Sequence, residues 1–338
     1  MAINCIRLMK KEDLKIVFFG TPEFAVESLK ALVDNGFNVV GVVTMPDKPA
    51  GRGHKILHSP VKDFALANDL YLMQPVNLKD QSFVRELEAL NAELFIVIAF
   101  RMLPEIVWQM PPLGTFNLHA SLLPRYRGAA PINRAVMNGD TITGVTTFML
   151  KHEIDTGDIL QQESVEILPT ENVGDVHDKL MHLGARLTVE TVNHIIKGDL
   201  RLIPQSELTS KYEPSPAPKI FSDDCVIDWT KSAVNIHNFV RGLSPYPAAR
   251  SSLSYPKEDL ETQAVIQFKI FSTRICEFPK DKSFPGQIEI CNNKRMIVAA
   301  GDGKGIEILE LQPSGKKRMT TDAFLRGQKD FSSHFVSF

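Results

Sequence analysis

Asn117 and His119 stand two residues apart in TFNLH, an apolar-rich stretch that reads as a β-strand. Side chains two apart on a strand share a face, so the amide and the imidazole project together while Leu118 turns into packing. In an open α/β sheet, ligands bind beyond the carboxyl ends of the strands, so a polar pair at such an end is a candidate site. The plain alternative, a histidine satisfied by a local hydrogen bond, fits N-x-H equally well. Further on comes HEIDTGD at residues 152–158. Its D-T-G-D portion has turn chemistry and also reads as an ordinary loop. One of its carboxylates, Asp155, would suit His119 as a partner, holding the ring's tautomer and stabilising its charged form. Two carboxylates without a third and fourth ligand do not make a cation site, so no metal is expected.

These residues include no obvious nucleophile. Ser121 lies close to His119 but lacks the G-x-S-x-G elbow of a covalent hydrolase. The set favours direct attack by an external nucleophile on a carbonyl carbon. Asn117 and His119 would stabilise the developing oxyanion, and His119 with Asp155 would move protons. Residues 121–128, SLLPRYRG, should form a loop carrying Arg125 and Arg127. Tyr126 between them reads as a rim or stacking residue, or as part of a charged surface turn. Gly20-Thr21-Pro22 follows the first strand but fails the G-x-G-x-x-G test, because proline and alanine occupy positions 22 and 25. A dinucleotide cofactor is not expected.

The surrounding pattern alternates strands with helices. Buried strands are predicted at 15–20, 39–43, 71–73, 94–99, 115–119 and 143–149. Helices are predicted from 22 to about 36, then at 60–68, 80–90, 131–137 and 173–197. This is a doubly wound, mostly parallel α/β sheet of Rossmann-like type. Residues 45–55, MPDKPAGRGHK, are basic and too rich in breakers for regular structure. KYEPSPAP at 211–218 holds three prolines in eight residues and reads as a stiff linker. Beyond it come a helix at 228–242 and short strands at 263–271, 286–290, 296–299 and 306–311, the pattern of a small OB-like β-barrel. The expected division is an N-terminal extension at 1–14, a catalytic domain at 15–205, a linker at 206–221 and a barrel at 222–338.

The composition agrees with two domains: 338 residues, 43% hydrophobic and 23% charged, exclude a disordered chain. No apolar run approaches the ~20 residues of a membrane span, and no signal peptide is visible. The four cysteines, Cys5, Cys225, Cys276 and Cys291, are widely spaced. They suggest neither a zinc site nor disulfides, and a reducing, cytoplasmic setting is expected. The net charge of −2 conceals an asymmetry: residues 1–210 carry 20 Lys and Arg against 25 Asp and Glu, and residues 211–338 carry 18 against 15.

The chain resembles the folate-dependent formyltransferases, and within them the branch that acts on charged initiator tRNA. The resemblance rests on FFGTPEFAV at 18–26, MPDKPAGRG at 45–53, FNLHASLLPRYRGAAPINRAV at 116–136, EIDTGDIL at 153–160, APKI at 217–220 and LQPSGKKRM at 311–319. It implies 10-formyltetrahydrofolate as donor and the methionine amino group of initiator methionyl-tRNA as acceptor. It implies Asn117, His119 and Asp155 as catalytic residues, and Ser121, Leu122, Leu123 and Pro124 as the folate contact. It also implies an acceptor-stem loop around Arg52, on which Lys48, Arg52, His54 and Lys55 suit tRNA phosphates. Lys316, Lys317 and Arg318 form a second cluster of that kind. A monomer is expected. The sequence departs from the family at Phe100-Arg101-Met102, where a glycine commonly follows the aromatic near the pterin pocket. Two rival readings are a formyltransferase acting on a small amine and an RNA-binding module without catalysis. The intact Asn117, His119 and Asp155 set opposes the second, and the basic segments oppose the first.

Overall fold

The computed structural model describes residues 10–50, 55–209, 213–256, 263–327 and 336–337. Within these residues the chain forms two compact units. The first takes Met1–Gly128, Ile142–Val165 and His177–Ala217, and the second takes Ala129–Thr141, Glu166–Val176 and Pro218–Phe338.

The first unit is built on β1 (Lys15–Gly20), α1 (Glu23–Asp34), β2 (Asn38–Val43), β3 (Lys48–Ala50), β4 (Lys55–Leu57), α2 (Pro60–Ala67), β5 (Leu72–Met73), α3 (Gln81–Ala89), β6 (Leu94–Ile98), α4 (Glu105–Trp108) and β7 (Thr115–His119). After α5 (Pro131–Met137), which belongs to the second unit, come β8 (Ile142–Met149), β9 (Ile159–Glu166) and α6 (Val173–Lys197). The main sheet has the order β5-β2-β1-β6-β7-β8-β9. Strands β5 to β7 run parallel, and β8 is antiparallel to β7. The predicted alternation of strands and helices is therefore present.

The cause is visible in β1. Val17 and Phe19 join one apolar cluster with Phe83, Leu87, Phe95 and Val97, and Ile16 and Phe18 are equally inaccessible. A strand buried on both faces needs continuous apolar residues, and IVFF supplies them. Ser59 caps α2 by accepting from the Lys62 amide at 3.1 Å, and Asp80 caps α3 through the Ser82 amide at 2.8 Å. Chain order along the sheet reverses between β1 and β6, which places the crevice for ligands outside the carboxyl ends of β1, β6 and β7.

Two readings change. Residues 45–55 contain a short antiparallel hairpin, β3 with β4, registered Lys48 to Leu57 and Ala50 to Lys55. Backbone pairing over three residues a side leaves no periodic pattern for sequence to show. The proline-rich segment is also not free throughout. Its Ser215-Pro216-Ala217 portion docks on the first unit, with Pro216 bridged in parallel to Arg127.

The second unit contains α7 (Ala233–Leu243), β10 (Ala249–Pro256), β11 (Gln263–Glu277), β12 (Ile288–Cys291), β13 (Arg295–Ala299), β14 (Lys304–Pro313), β15 (Met319–Thr320), α8 (Thr321–Arg326) and β16 (Val336–Ser337). Its strands pair antiparallel in the order β12-β13-β14-β11-β10-β16, with β15 against β14. Trp229, Ile236, Val240, Phe268, Ile270 and Val298 fill the core, and the Trp229 indole donates to the Ser251 hydroxyl at 3.1 Å.

Glu307 on β14 is 4% exposed and receives Arg295 at 2.8 and 2.9 Å and Arg274 at 2.7 Å. The Arg295 hydrogen bond is the main reason its carboxyl titrates below the usual range, with Arg274 adding to it. The folded value lies below the unfolded one. The ion pairs therefore stabilise fully above the ordinary carboxylate pKa of about 4.3, and lose that contribution as pH falls through the folded value. Glu307→Ala should cost about 2 kcal/mol at pH 7, less than a fully buried pair because both arginines are partly solvated. Urea unfolding should show the gap to wild type narrowing below about pH 4. A gap constant down to pH 3 would contradict this.

Candidate active site

β7 delivers Asn117 and His119 to the crevice from one face, as their spacing requires. Asn117 is half-buried, and among the described residues its side-chain amide takes no hydrogen bond. His119 is buried beneath the loop that follows it. Its Nε2 lies 2.8 Å from the Tyr126 carbonyl oxygen, an acceptor, so Nε2 carries the proton and donates. The neutral ring then presents the Nδ1 lone pair, which faces the Asp155 carboxylate at 3.9 Å. Two acceptors do not bond, and this separation suits them. Protonation of Nδ1 converts the pair into an ion pair inside a nearly closed site.

The orienting hydrogen bond on His119 thus comes from a backbone carbonyl, and Asp155 is held separately. Gly128 donates its amide to Asp155 Oδ2 at 2.8 Å. Gly128 has φ +122°, and a Cβ there would meet the Ala217 carbonyl oxygen at 2.6 Å, so glycine is required. Asp155 itself sits at φ +55°, a conformation aspartate tolerates better than most residues. Two residues on, a Cβ on Gly157 would lie 1.6 Å from the Met149 carbonyl oxygen, so the D-T-G-D turn can lie this close to β8 only with glycine there.

The segment Tyr126-Arg127-Gly128 is pinned from outside by residues 215–217. Tyr126 donates its amide to Ser215 Oγ at 3.0 Å, Arg127 donates to the Ser215 carbonyl at 2.9 Å, and Ala217 donates to the Arg127 carbonyl at 2.6 Å. Gln205, 4% exposed, completes the support. Its Nε2 donates to the carbonyls of Asp155 and Gly157 at 2.8 and 2.9 Å, and its Oε1 accepts from Arg127 Nε and Nη2 at 3.1 and 2.6 Å. Gln205 and residues 215–217 were invisible as functional positions. Neither carries a motif, and their roles arise from contacts 48 to 90 residues away in the chain.

Ser121, Leu122, Leu123 and Pro124 are all buried. The Ser121 hydroxyl donates to the Arg125 carbonyl, and Thr146 and Gln162 tie the backbone of 121–123 to β8 and β9. The segment is a rigid wall. At the end of β6, Arg101 donates to the Val76 carbonyl at 2.8 Å and to the Pro75 carbonyl. The residue that departs from the family pattern thus ties the β6 loop to the loop after β5.

Of the basic residues, Arg52 and His54 lie outside the described residues, and Lys48 and Lys55 stand in the β3–β4 hairpin. The root of that hairpin is fixed by Asp47, which accepts from Lys62 at 2.5 Å and from Gln74 at 3.0 Å. These bonds, Lys62 foremost, hold its carboxyl below the usual range. In the second unit Lys316 and Lys317 are exposed, whereas Arg318 is engaged by Glu310 and lies over the Phe271 ring at 4.4 Å.

Two family models match this chain, formyl transferase over residues 14–192 and the formyl transferase C-terminal domain over residues 219–329. The chain belongs to the formyl transferase family. Among curated relatives, the methionyl-tRNA formyltransferase of Bacteroides fragilis is 57% identical over 320 residues, covering 94% of this chain and 96% of the relative. That of Parabacteroides distasonis is 54% identical over 331 residues, covering 97% and 100%. Among solved structures, a sugar 3N-formyl transferase crystallised with dTDP and 5-N-formyl-THF shares the fold at a TM-score of 0.60 and 19% identity, over 90% of this chain and 99% of that one.

Within this formyl transferase, Gln205 holds the Asp155 turn by its backbone carbonyls. Gln205→Ala should lower kcat roughly 10- to 100-fold, the usual cost of a small misplacement of a reacting group, with KM for the acceptor nearly unchanged. Gln205→Glu should not rescue, because it removes both donors to the Asp155 and Gly157 carbonyls. Steady-state kinetics of both variants check this, and wild-type kcat in either would exclude the role.

Proposed function

We propose that the chain moves the formyl group of 10-formyltetrahydrofolate to the methionine amino group of initiator methionyl-tRNA, for translation initiation. The reading places it in the cytoplasm as a monomer. The observation that carries the chemistry is the convergence of the unbonded Asn117 amide, the Nδ1 face of His119 and the Asp155 carboxylate at the carboxyl end of β7. The acceptor assignment is supported by the identities of 54% and 57% to methionyl-tRNA formyltransferases over nearly whole chains.

In this mechanism the neutral amine attacks the formyl carbon. An α-amino group has a pKa of about 7.7–8.0, so a useful neutral fraction exists near pH 7. The new C–N bond pushes the carbonyl electron pair onto oxygen, where Asn117 donates a hydrogen bond. His119 Nδ1 takes the proton released by the attacking nitrogen, because Nε2 is committed to the Tyr126 carbonyl. Asp155 stabilises the imidazolium at that moment. The same proton then passes to N10 of the folate as the second C–N bond breaks, which returns His119 to its starting tautomer. The wall at Ser121, Leu122, Leu123 and Pro124 flanks the donor.

Removing one oxyanion donor typically costs ~2.7–4 kcal/mol, so Asn117→Ala should reduce kcat by roughly 10²- to 10³-fold. His119→Ala should abolish most turnover while tRNA binding persists. Both are read with purified protein, 10-formyltetrahydrofolate and charged initiator tRNA, set against small amines as acceptors. Formylation of a small amine and not of methionyl-tRNA would overturn the acceptor assignment.

Lys48 of β3, Lys55 of β4, and Arg52 and His54, which come between them in the sequence, are proposed to meet tRNA phosphates together with Lys316, Lys317 and Arg318 of the second unit. Such contacts release counterions, so log Kd should rise linearly with log salt. Arg52→Ala and Lys317→Ala should each flatten that slope by about one. Slopes unchanged from wild type would remove these residues from the interface.

A further inference from the structure

The second unit carries a polar cavity of about 390 Å³ on the face of β10, β11 and β14, within the ~300–1,000 Å³ of ordinary ligand clefts. Its floor is a cross-strand array. Arg250 on β10 stands directly opposite Lys269 on β11, and Lys269 stands directly opposite Gln312 on β14. One pleat away, Ser252 faces Gln267, whose carbonyl receives the Ser314 amide at 2.9 Å. All six residues line the cavity.

The array is electrostatically unfavourable as it stands. Like charges directly opposite on antiparallel strands repel. Among the described residues neither Arg250 nor Lys269 forms an ion pair, although Asp223 also lines the cavity. The guanidinium is only part satisfied: Nη1 donates to Ser222 Oγ, while Nε is buried with no acceptor. Nε is shut off from the cavity, so what the guanidinium can offer a ligand is Nη2, a charged donor on the strand next to Lys269. The cavity supplies hydroxyl and amide donors beside it. The loop that follows, with exposed Lys316 and Lys317, is tied back to this floor by Gln312 donating to the Lys316 carbonyl at 2.8 Å.

We propose that this cavity is a phosphate-binding site that seats a backbone phosphodiester of the bound RNA, gripped by Arg250 and Lys269 with Ser252, Gln267 and Ser314 around them. The proposal rests on the reading that the enzyme acts on tRNA. It adds a contact separate from Lys316, Lys317 and Arg318. The phosphate resolves the electrostatic anomaly: it neutralises the two facing cations.

The test uses full-length protein with Lys269→Met and Arg250→Lys, and Lys316→Ala/Lys317→Ala as the reference pair. Lys269→Met should raise KM for charged tRNA roughly 5- to 20-fold, leave kcat unchanged and flatten the salt dependence of binding by about one. Its melting temperature should equal or exceed that of wild type, because a repulsion is removed. Arg250→Lys keeps the charge and loses the guanidinium held in place by Ser222, so it should weaken binding without changing the slope. Inorganic phosphate should raise the melting temperature of wild type more than that of Lys269→Met. Wild-type KM and slope in Lys269→Met, with weakened binding in the Lys316/Lys317 variant, would overturn the cavity and leave the tRNA reading standing. Equal binding of tRNA by all variants, with no formylation of methionyl-tRNA, would overturn the underlying reading instead. Equal affinity for tRNA and for polyglutamate of matched charge would overturn the phosphate assignment.

Discussion

Three backbone groups on Tyr126-Arg127-Gly128 govern the active site. The Tyr126 carbonyl sets the His119 tautomer, the Gly128 amide holds the Asp155 carboxylate, and the Arg127 carbonyl binds the strand of residues that keeps the segment in place. A backbone carbonyl cannot ionise, so it fixes a tautomer regardless of the chemistry around it. A carboxylate at Nε2 would answer each proton transfer with a change of its own. In the proposed mechanism this divides the labour: a neutral group orients the ring, and the charged group, Asp155 at 3.9 Å, acts when the ring becomes positive.

Much of this geometry was legible in the residues, for identifiable reasons. The shared face of Asn117 and His119 follows from the two-residue period of a strand. The placement at a carboxyl end follows from the alternation of strands and helices. Asp155 was legible as a partner because a carboxylate suits an imidazole, whereas the turn chemistry of D-T-G-D fitted an ordinary loop as well, and the close pass of β8 at Gly157 shows only in the structure. What could not be read is the long-range support. Gln205 has no local pattern, and a buried amide looks in sequence like a surface one. Pro214, Pro216 and Pro218 mark the chain around Ser215 and Ala217 as extended, and extension serves a linker and a docked strand equally. The β3–β4 hairpin escaped for a related reason, since three-residue strands carry no period.

The charge asymmetry acquires a spatial meaning. An excess of three cations over residues 211–338 is too small to define a nucleic-acid surface. Arg250 facing Lys269 concentrates two of them on adjacent strands, while Arg274 and Arg295 are spent on Glu307 and Arg318 on Glu310. Counting charges treats these residues alike. Pairing separates those that hold the fold together from those that remain available to a ligand.

The docking of residues 215–217 also bears on how such a chain is recombined. A breakpoint placed in the proline-rich stretch before Ala217 would look harmless from the sequence, because that stretch reads as a linker. Yet it would hand the catalytic unit's own brace to the other parent. A chimera exchanging the residues that follow the stretch therefore keeps this brace with the loop it supports when its junction falls after Ala217, at the far end of the proline-rich stretch.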